Sequence, residues 1–178
     1  MNKFSRYSLL LFLLATAPLH AAPPSGADGE TSEASTQQAN ELSQQAQSAI
    51  NDHTREALVS LSMELLGTTY RYGGNSPLTG LDCSGLVRFV YEQAAGLNLP
   101  RSSREMAHQG EQVDTRALLP GDLLFFARPR HPISHVGIYV GDGQFIHAAS
   151  RSRKVKISDL DRRYYLSRLV VARRYLPE

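Results

Sequence analysis

The sequence predicts an α+β fold, with helices first and an antiparallel sheet after, in one domain spanning residues 53–178. Apolar residues recur at helical spacing from Leu58 to Leu66 and again beyond Cys83. Past Pro120 the pattern changes to short apolar runs and period-two alternation, and a Gly141-Asp142-Gly143 turn separates two of those runs. Helical segments followed by a series of strands define this fold class, and about 120 residues suffice for one core.

Residues 1–21 read as a signal peptide. Lys3 and Arg6 precede an apolar run from Ser8 to Ala17, and small residues follow at Ala21 and Ala22. A run of about ten apolar residues is half what a membrane span requires, so the expectation is export to a periplasm or beyond the cell, with no membrane span. The sole cysteine, Cys83, is too far from that run to carry a lipid anchor. Residues 22–52 are a linker: Pro23 to Thr36 read as a disordered tether and Gln37 to Ile50 as a partly helical stretch. The linker is a candidate site for a protein adaptor, and the chain is expected to be monomeric.

Within the domain, order is expected from about Thr54. Leu58, Leu61 and Leu65 form one stripe and Val59, Met63 and Leu66 a second, which predicts a first helix buried on a broad face and ended near Gly67. "TTYRYGGNSPLTG" is turn-rich. A second helix is predicted from Cys83 to Ala95 with Gly96 as its cap, and a short third one where Ser102 and Glu105 are spaced as a capping box. "LLFF", "HVGIYV", "QFIHAA", "KVKISD" and "RLVVARRYL" supply the strands.

Charge is unevenly distributed. Ala22 to Arg55 holds five acids and one base, whereas Glu56 onward holds 16 bases and 12 acids. The arginines have no interleaved aromatics for base stacking, so nucleic acid is not the expected partner and the basic surface reads as a solvated face.

Cys83 falls at the predicted start of a helix, where unpaired backbone N–H groups and the helix dipole favour a thiolate. His135, at the mouth of a hairpin strand, is the candidate base, and a Cys83–His135 ion pair is the expected resting state. His147 shares a face with His135 if the hairpin has a three-residue loop or an equivalent bulge; a two-residue loop alone would turn it away. A lone cysteine is more commonly a small buried hydrophobe. A zinc site of Cys83, His135 and His147 would lack any HExxH run, and no metal or other cofactor is expected.

"GTTYRYGGNSPLTGLDCSGLV", "LPRSS", "LPGDLLFF" and "HVGIYVGDGQFIHA" in this order resemble the NlpC-type family of secreted cell-wall cysteine peptidases, over about Leu58 to Leu176. The resemblance implies a papain-like fold, helices packed on an antiparallel sheet, and hydrolysis of peptide bonds in peptidoglycan stem peptides. It implies Cys83 as nucleophile, His135 as general base and His147 as the residue orienting it, with Tyr70, Asp82 and Ser84 lining the substrate site. Asp82 and Ser84 would hold an ammonium or amide of the stem, and Tyr70 would help the Cys83 N–H bind the oxyanion. The bond would be D-glutamyl to diaminopimelate or the D-alanyl cross-link, the general likeness to short exported members favouring the cross-link. The alternatives are an amidase or acyltransferase with the same triad, and a non-catalytic wall-binding protein.

Overall fold

The computed structural model describes the backbone of residues 30–178 and the side chains from Thr36 onward. The predicted signal peptide lies outside the described residues. The described residues fall into two units, divided between Ala39 and Asn40. Helix α1 spans Glu30–Glu64, so residues 30–36 are helical where composition alone suggested a disordered tether. The physical reason is local: no glycine or proline interrupts Glu30 to Glu64, and alanine, glutamine and glutamate hold a helix without burying it. Residues 36–50 are accordingly exposed throughout, and the first buried residue is Asn51.

In the second unit α1 buries one stripe, not two. Leu58 and Leu65 lie in the core with Leu61 packed against it, while Met63 and Leu66 are exposed. Ser62 sits fully buried beside the stripe, its hydroxyl donating to the Leu58 carbonyl at 2.7 Å. Small strands β1 (Asn75–Ser76) and β2 (Gly80–Leu81) then form a hairpin that the sequence reading treated as turn alone.

Helix α2 (Cys83–Ala95) begins at Asp82, whose side chain caps Gly85 N, and ends at Gly96 in a left-handed conformation. Gly85 is required by crowding, since a Cβ there would fall 2.0 Å from the Gly74 carbonyl oxygen. The first turn of α2 is thereby pressed against the preceding loop. Helix α3 (Ser103–Met106) carries the expected capping box between Ser102 and Glu105.

The strands β3 (Glu111–Val113), β4 (Leu123–Arg128), β5 (His131–Gly141), β6 (Gln144–Ala149), β7 (Lys154–Asp159) and β8 (Leu169–Arg174) make one antiparallel sheet in the order β3-β8-β4-β5-β6-β7. A short helix, α4 (Arg163–Leu166), links its last two strands. Leu86, Val87 and Val90 of α2 pack with Phe125, Val136, Ile138 and Ile146 in the main core.

The hairpin between β5 and β6 settles which face His147 occupies. Asp142 and Gly143, at φ 50° and 69°, make a two-residue turn with Gly141 opposite Gln144. A bulge between Tyr139 and Gly141 then restores Tyr139 opposite Phe145 and Ile138 opposite Ile146, the pairing a three-residue loop would give.

A buried ionic cluster joins α1 to the sheet. The fully buried Asp122 carboxylate accepts from Arg174 Nε at 2.9 Å and Nη2 at 2.8 Å and from Leu119 N at 2.8 Å. Arg55 lies 4.0 Å from the same carboxylate and donates to the carbonyls of Pro120, Leu176 and Pro177. Losing one partner strands a buried charge, so Asp122→Ala is expected to cost about 3–5 kcal/mol in urea unfolding. A loss under about 1 kcal/mol would show that the cluster contributes little.

Candidate active site

The cleft that opens between the start of α2 and strand β5 has a volume of about 530 Å³ and is lined by Tyr70, Asp82, Cys83, Ser84, Arg101 and His135 among others. Cys83, Asp82 and Ser84 come from the first turn of α2 and its cap, Tyr70 from the turn-rich loop, and His135 from β5. His147, on β6, is almost fully buried behind His135.

The two imidazoles are hydrogen-bonded, His135 Nε2 to His147 Nδ1 at 2.7 Å, with ring centroids 4.9 Å apart. His147 Nε2 continues the chain to Ser158 Oγ at 3.1 Å and Tyr165 Oη at 3.3 Å. This geometry constrains the protons. For His135 Nδ1 to be free to accept a proton, Nε2 must carry one and donate it to His147 Nδ1; His147 then carries its own proton on Nε2 and donates to Ser158 and Tyr165. The sequence reading reached the two histidines but missed Ser158 and Tyr165, since neither belongs to a motif with a chemical signature.

Burial holds both rings neutral. It lowers the His135 pKa to about 4, helped by the Arg128 charge, and the His147 pKa to about 2, helped by the neighbouring His135 and Lys156 charges. The Cys83 thiol is pushed up, first by burial and then by the Asp82 charge, against the lowering effect of N–H groups of Val136, Ser84 and Cys83 itself. Among the described residues no hydrogen bond joins the Cys83 sulfur to His135. No such hydrogen bond marks the expected resting ion pair, and burial favours the neutral form of both thiol and imidazole.

Asp82 is occupied by the protein itself. Its carboxylate accepts from Gly73 N at 3.0 Å, Gly85 N at 2.7 Å and Ser84 Oγ at 3.0 Å, and from Arg101 Nη1 at 3.2 Å and Nη2 at 2.7 Å. Despite burial, the Arg101 hydrogen bond and those from Gly85 and Ser84 hold its pKa below the usual carboxylate range. Arg101 also donates to Ser84 Oγ at 2.8 Å, and its side chain remains 42% exposed. The sequence reading quoted "LPRSS" without assigning Arg101 a task; only the fold brings it beside Asp82. Burial, then the Cys83 and Asp82 charges, raise the Tyr70 pKa and keep its phenol protonated.

The architecture is thus an α+β domain in which N-terminal helices pack on a six-stranded antiparallel sheet, with Cys83 and His135 lining one cleft and His147 bonded to His135 behind it. The chain belongs to the NlpC/P60 family, whose sequence profile matches residues 67–174. It is 43% identical over 119 residues to the gamma-DL-glutamyl hydrolase of Bacillus subtilis (strain 168), covering 66% of this chain and 29% of that protein. It is 38% identical over 117 residues to the murein DD-endopeptidase MepH of Escherichia coli (strain K12), covering 64% and 43% respectively. Among solved structures, an NlpC/P60 family protein from Bacillus cereus ATCC 10987 superposes with a TM-score of 0.65 at 36% identity, over 69% of this chain and 40% of that one. The chain spans well under half the length of each of these three relatives. Among the described residues no helix is long and apolar enough to cross a membrane.

The histidine pair links stability to pH with a definite sign. Because folding lowers both pKa values, the folded state binds fewer protons, and the stabilisation from the neutral rings is complete above the unfolded value of about 6.5. The His135 share is lost as pH falls from there toward 4, and the His147 share as it falls toward 2. The urea midpoint should drop over that interval, and His147→Gln should flatten the drop; an unchanged slope in the variant would remove His147 from the linkage.

Proposed function

We propose that the protein is a peptidoglycan endopeptidase that cleaves amide bonds of stem peptides through Cys83, His135 and His147. The observation that carries the reading is the 2.7 Å His135–His147 hydrogen bond behind a cleft that also contains the thiol, in a chain of this family. The relatives named gamma-DL-glutamyl hydrolase and murein DD-endopeptidase support the substrate class.

With both groups neutral at rest, the thiol proton moves to His135 Nδ1 as Cys83 Sγ attacks the scissile carbonyl. A bound peptide that excludes water brings the partners together, and the imidazolium is stabilised through His147. The carbonyl oxygen, now an oxyanion, accepts hydrogen bonds from the Cys83 N–H and the Tyr70 hydroxyl, each donor worth about 2–4 kcal/mol in such roles. As the C–N bond breaks, His135 returns the proton to the leaving amine. It then takes a proton from water, which attacks the thioester and releases the acyl product and the thiol.

Asp82 and Ser84 act on the acyl side together with Arg101. Because Arg101 neutralises Asp82, this pocket suits a carboxylate or amide better than an ammonium. That favours the D-glutamyl to diaminopimelate bond, where a free carboxylate lies on the acyl residue, over the D-alanyl cross-link, where none does.

A digest of purified peptidoglycan analysed by mass spectrometry tests the reading: cuts inside the stem at D-glutamate are expected. Release of intact stems from bare glycan would identify an amidase instead, and no product at all would identify a binding protein. Cys83→Ala should abolish turnover with the melting temperature retained. His135→Ala should lose at least about a thousandfold in kcat/KM, while His147→Asn, still able to orient the ring, should keep partial activity. Equal loss in the two histidine variants would remove the distinction between base and orienting residue.

Iodoacetamide gives an independent check on the thiol. The raised Cys83 pKa predicts that the free enzyme alkylates more slowly than a model thiol below about pH 8. Fast modification near pH 6 would restore the resting ion pair.

A further inference from the structure

A second cavity of about 340 Å³ is lined by both His135 and His147, whereas the thiol cleft has Arg101 and, of the two histidines, His135 alone. It shares Arg128, His135 and Ser150 with the thiol cleft, so the two adjoin at those residues. Its walls bring together four cations, Arg128, Arg151, Lys156 and Arg168, and the rings of Tyr164 and Tyr165, with no carboxylate among the lining residues. Lys156 is held there by sheet register, directly opposite His147. Arg168 is fixed over the Tyr164 ring at 4.0 Å and donates to the Tyr164 carbonyl at 2.9 Å.

Among the described residues none of the four cations makes an ion pair; the protein's arginine–carboxylate pairs lie elsewhere, at Arg55, Arg101, Arg116, Arg162 and Arg174. Four uncompensated charges round one concavity repel each other and offer an anion a multivalent site. We infer that this cavity is the leaving-group subsite and that it selects peptides whose leaving side carries free carboxylates.

The direction follows from proton chemistry. His135 must deliver a proton to the departing amine, so that amine lies at His135, and what is attached to it continues past the ring into this cavity. The acyl portion stays with Cys83 on the Arg101 side. A diamino-acid leaving residue with a carboxylate beyond its amine matches the cations in sign, and its methylene chain matches the tyrosine walls. The inference deepens the endopeptidase reading and depends on it for the direction of the peptide.

The test compares stem peptides with the leaving-side carboxylate free or converted to the amide, and a matched pair altered only on the acyl side. Wild-type kcat/KM should fall about tenfold or more on leaving-side amidation, the scale expected for losing an ion pair shared by several cations. In Arg151→Gln/Lys156→Gln the ratio between free and amidated substrate should shrink toward one. The acyl-side ratio should be the same in wild type and variant. A wild-type ratio near one, a ratio unchanged by the double substitution, or a variant effect that follows the acyl-side carboxylate would each overturn the inference.

If the wild type cleaves neither peptide, the endopeptidase reading fails and the subsite is judged by binding. Calorimetric titration of the carboxylate-bearing leaving peptide into the full chain should show salt-sensitive association that the double variant loses. Association that the double variant keeps, or none in the wild type, overturns it.

Discussion

The Asp82 carboxylate is the constraint on which the site depends. It accepts five hydrogen bonds from four residues, and each fixes a different part of the cleft: Gly85 sets the first turn of α2, Gly73 the loop that carries Tyr70, Ser84 the side chain next to the thiol, and Arg101 the segment leading to α3. An N-cap is ordinarily worth about 1 kcal/mol to its helix. Here the same carboxylate also defines where the thiol points, because Cys83 is the next residue. The Gly85 contact with Gly74 closes the arrangement from the other side, leaving the loop and the helix no room to slide past each other.

Opposite this hub the sheet provides an electrostatic setting of another kind. His135 and His147 are held neutral by burial and by nearby cations, and the thiol facing the same cleft is held neutral by burial and by Asp82. Burial thus weighs against a charge-separated state of thiol and imidazole. The hydrogen-bonded chain from His135 through His147 to Ser158 and Tyr165 holds the orientation of both rings and couples their tautomers.

How much of this could be read from the sequence depended on whether the signal was local. The span of α2 and its Gly96 cap, the Ser102–Glu105 box and the five main strands all follow from spacing and capping residues within a few positions. Placing His147 on the face of His135 needed one argument about turn length, and a bulge at Val140 met it by a route that spacing alone does not specify. What escaped was non-local or silent in composition. Arg101 reaches Asp82 from 19 residues away, Ser158 and Tyr165 reach His147 from 11 and 18, and Arg55 meets carbonyls more than 100 residues on. The start of α1 at Glu30, ahead of the stretch read as partly helical, was missed because low hydrophobicity argues against a core, which is a different matter from arguing against a helix.

The long-range grip on α1 bears on how the chain can assemble. Asn51 and Arg55 bond the backbone of residues 176–178, and Arg174 completes the charge cluster at Asp122. As the polypeptide emerges in order from its synthesis, the helix carrying Arg55 appears before its buried guanidinium has the acceptors at positions 176 and 177, which follow β8. The unit therefore closes late, as a ring whose clasp joins its two ends, and until then an arginine that must be buried remains in water. Emergence in order and native packing are out of step by some 120 residues, so the grip on α1 is among the later contacts to form.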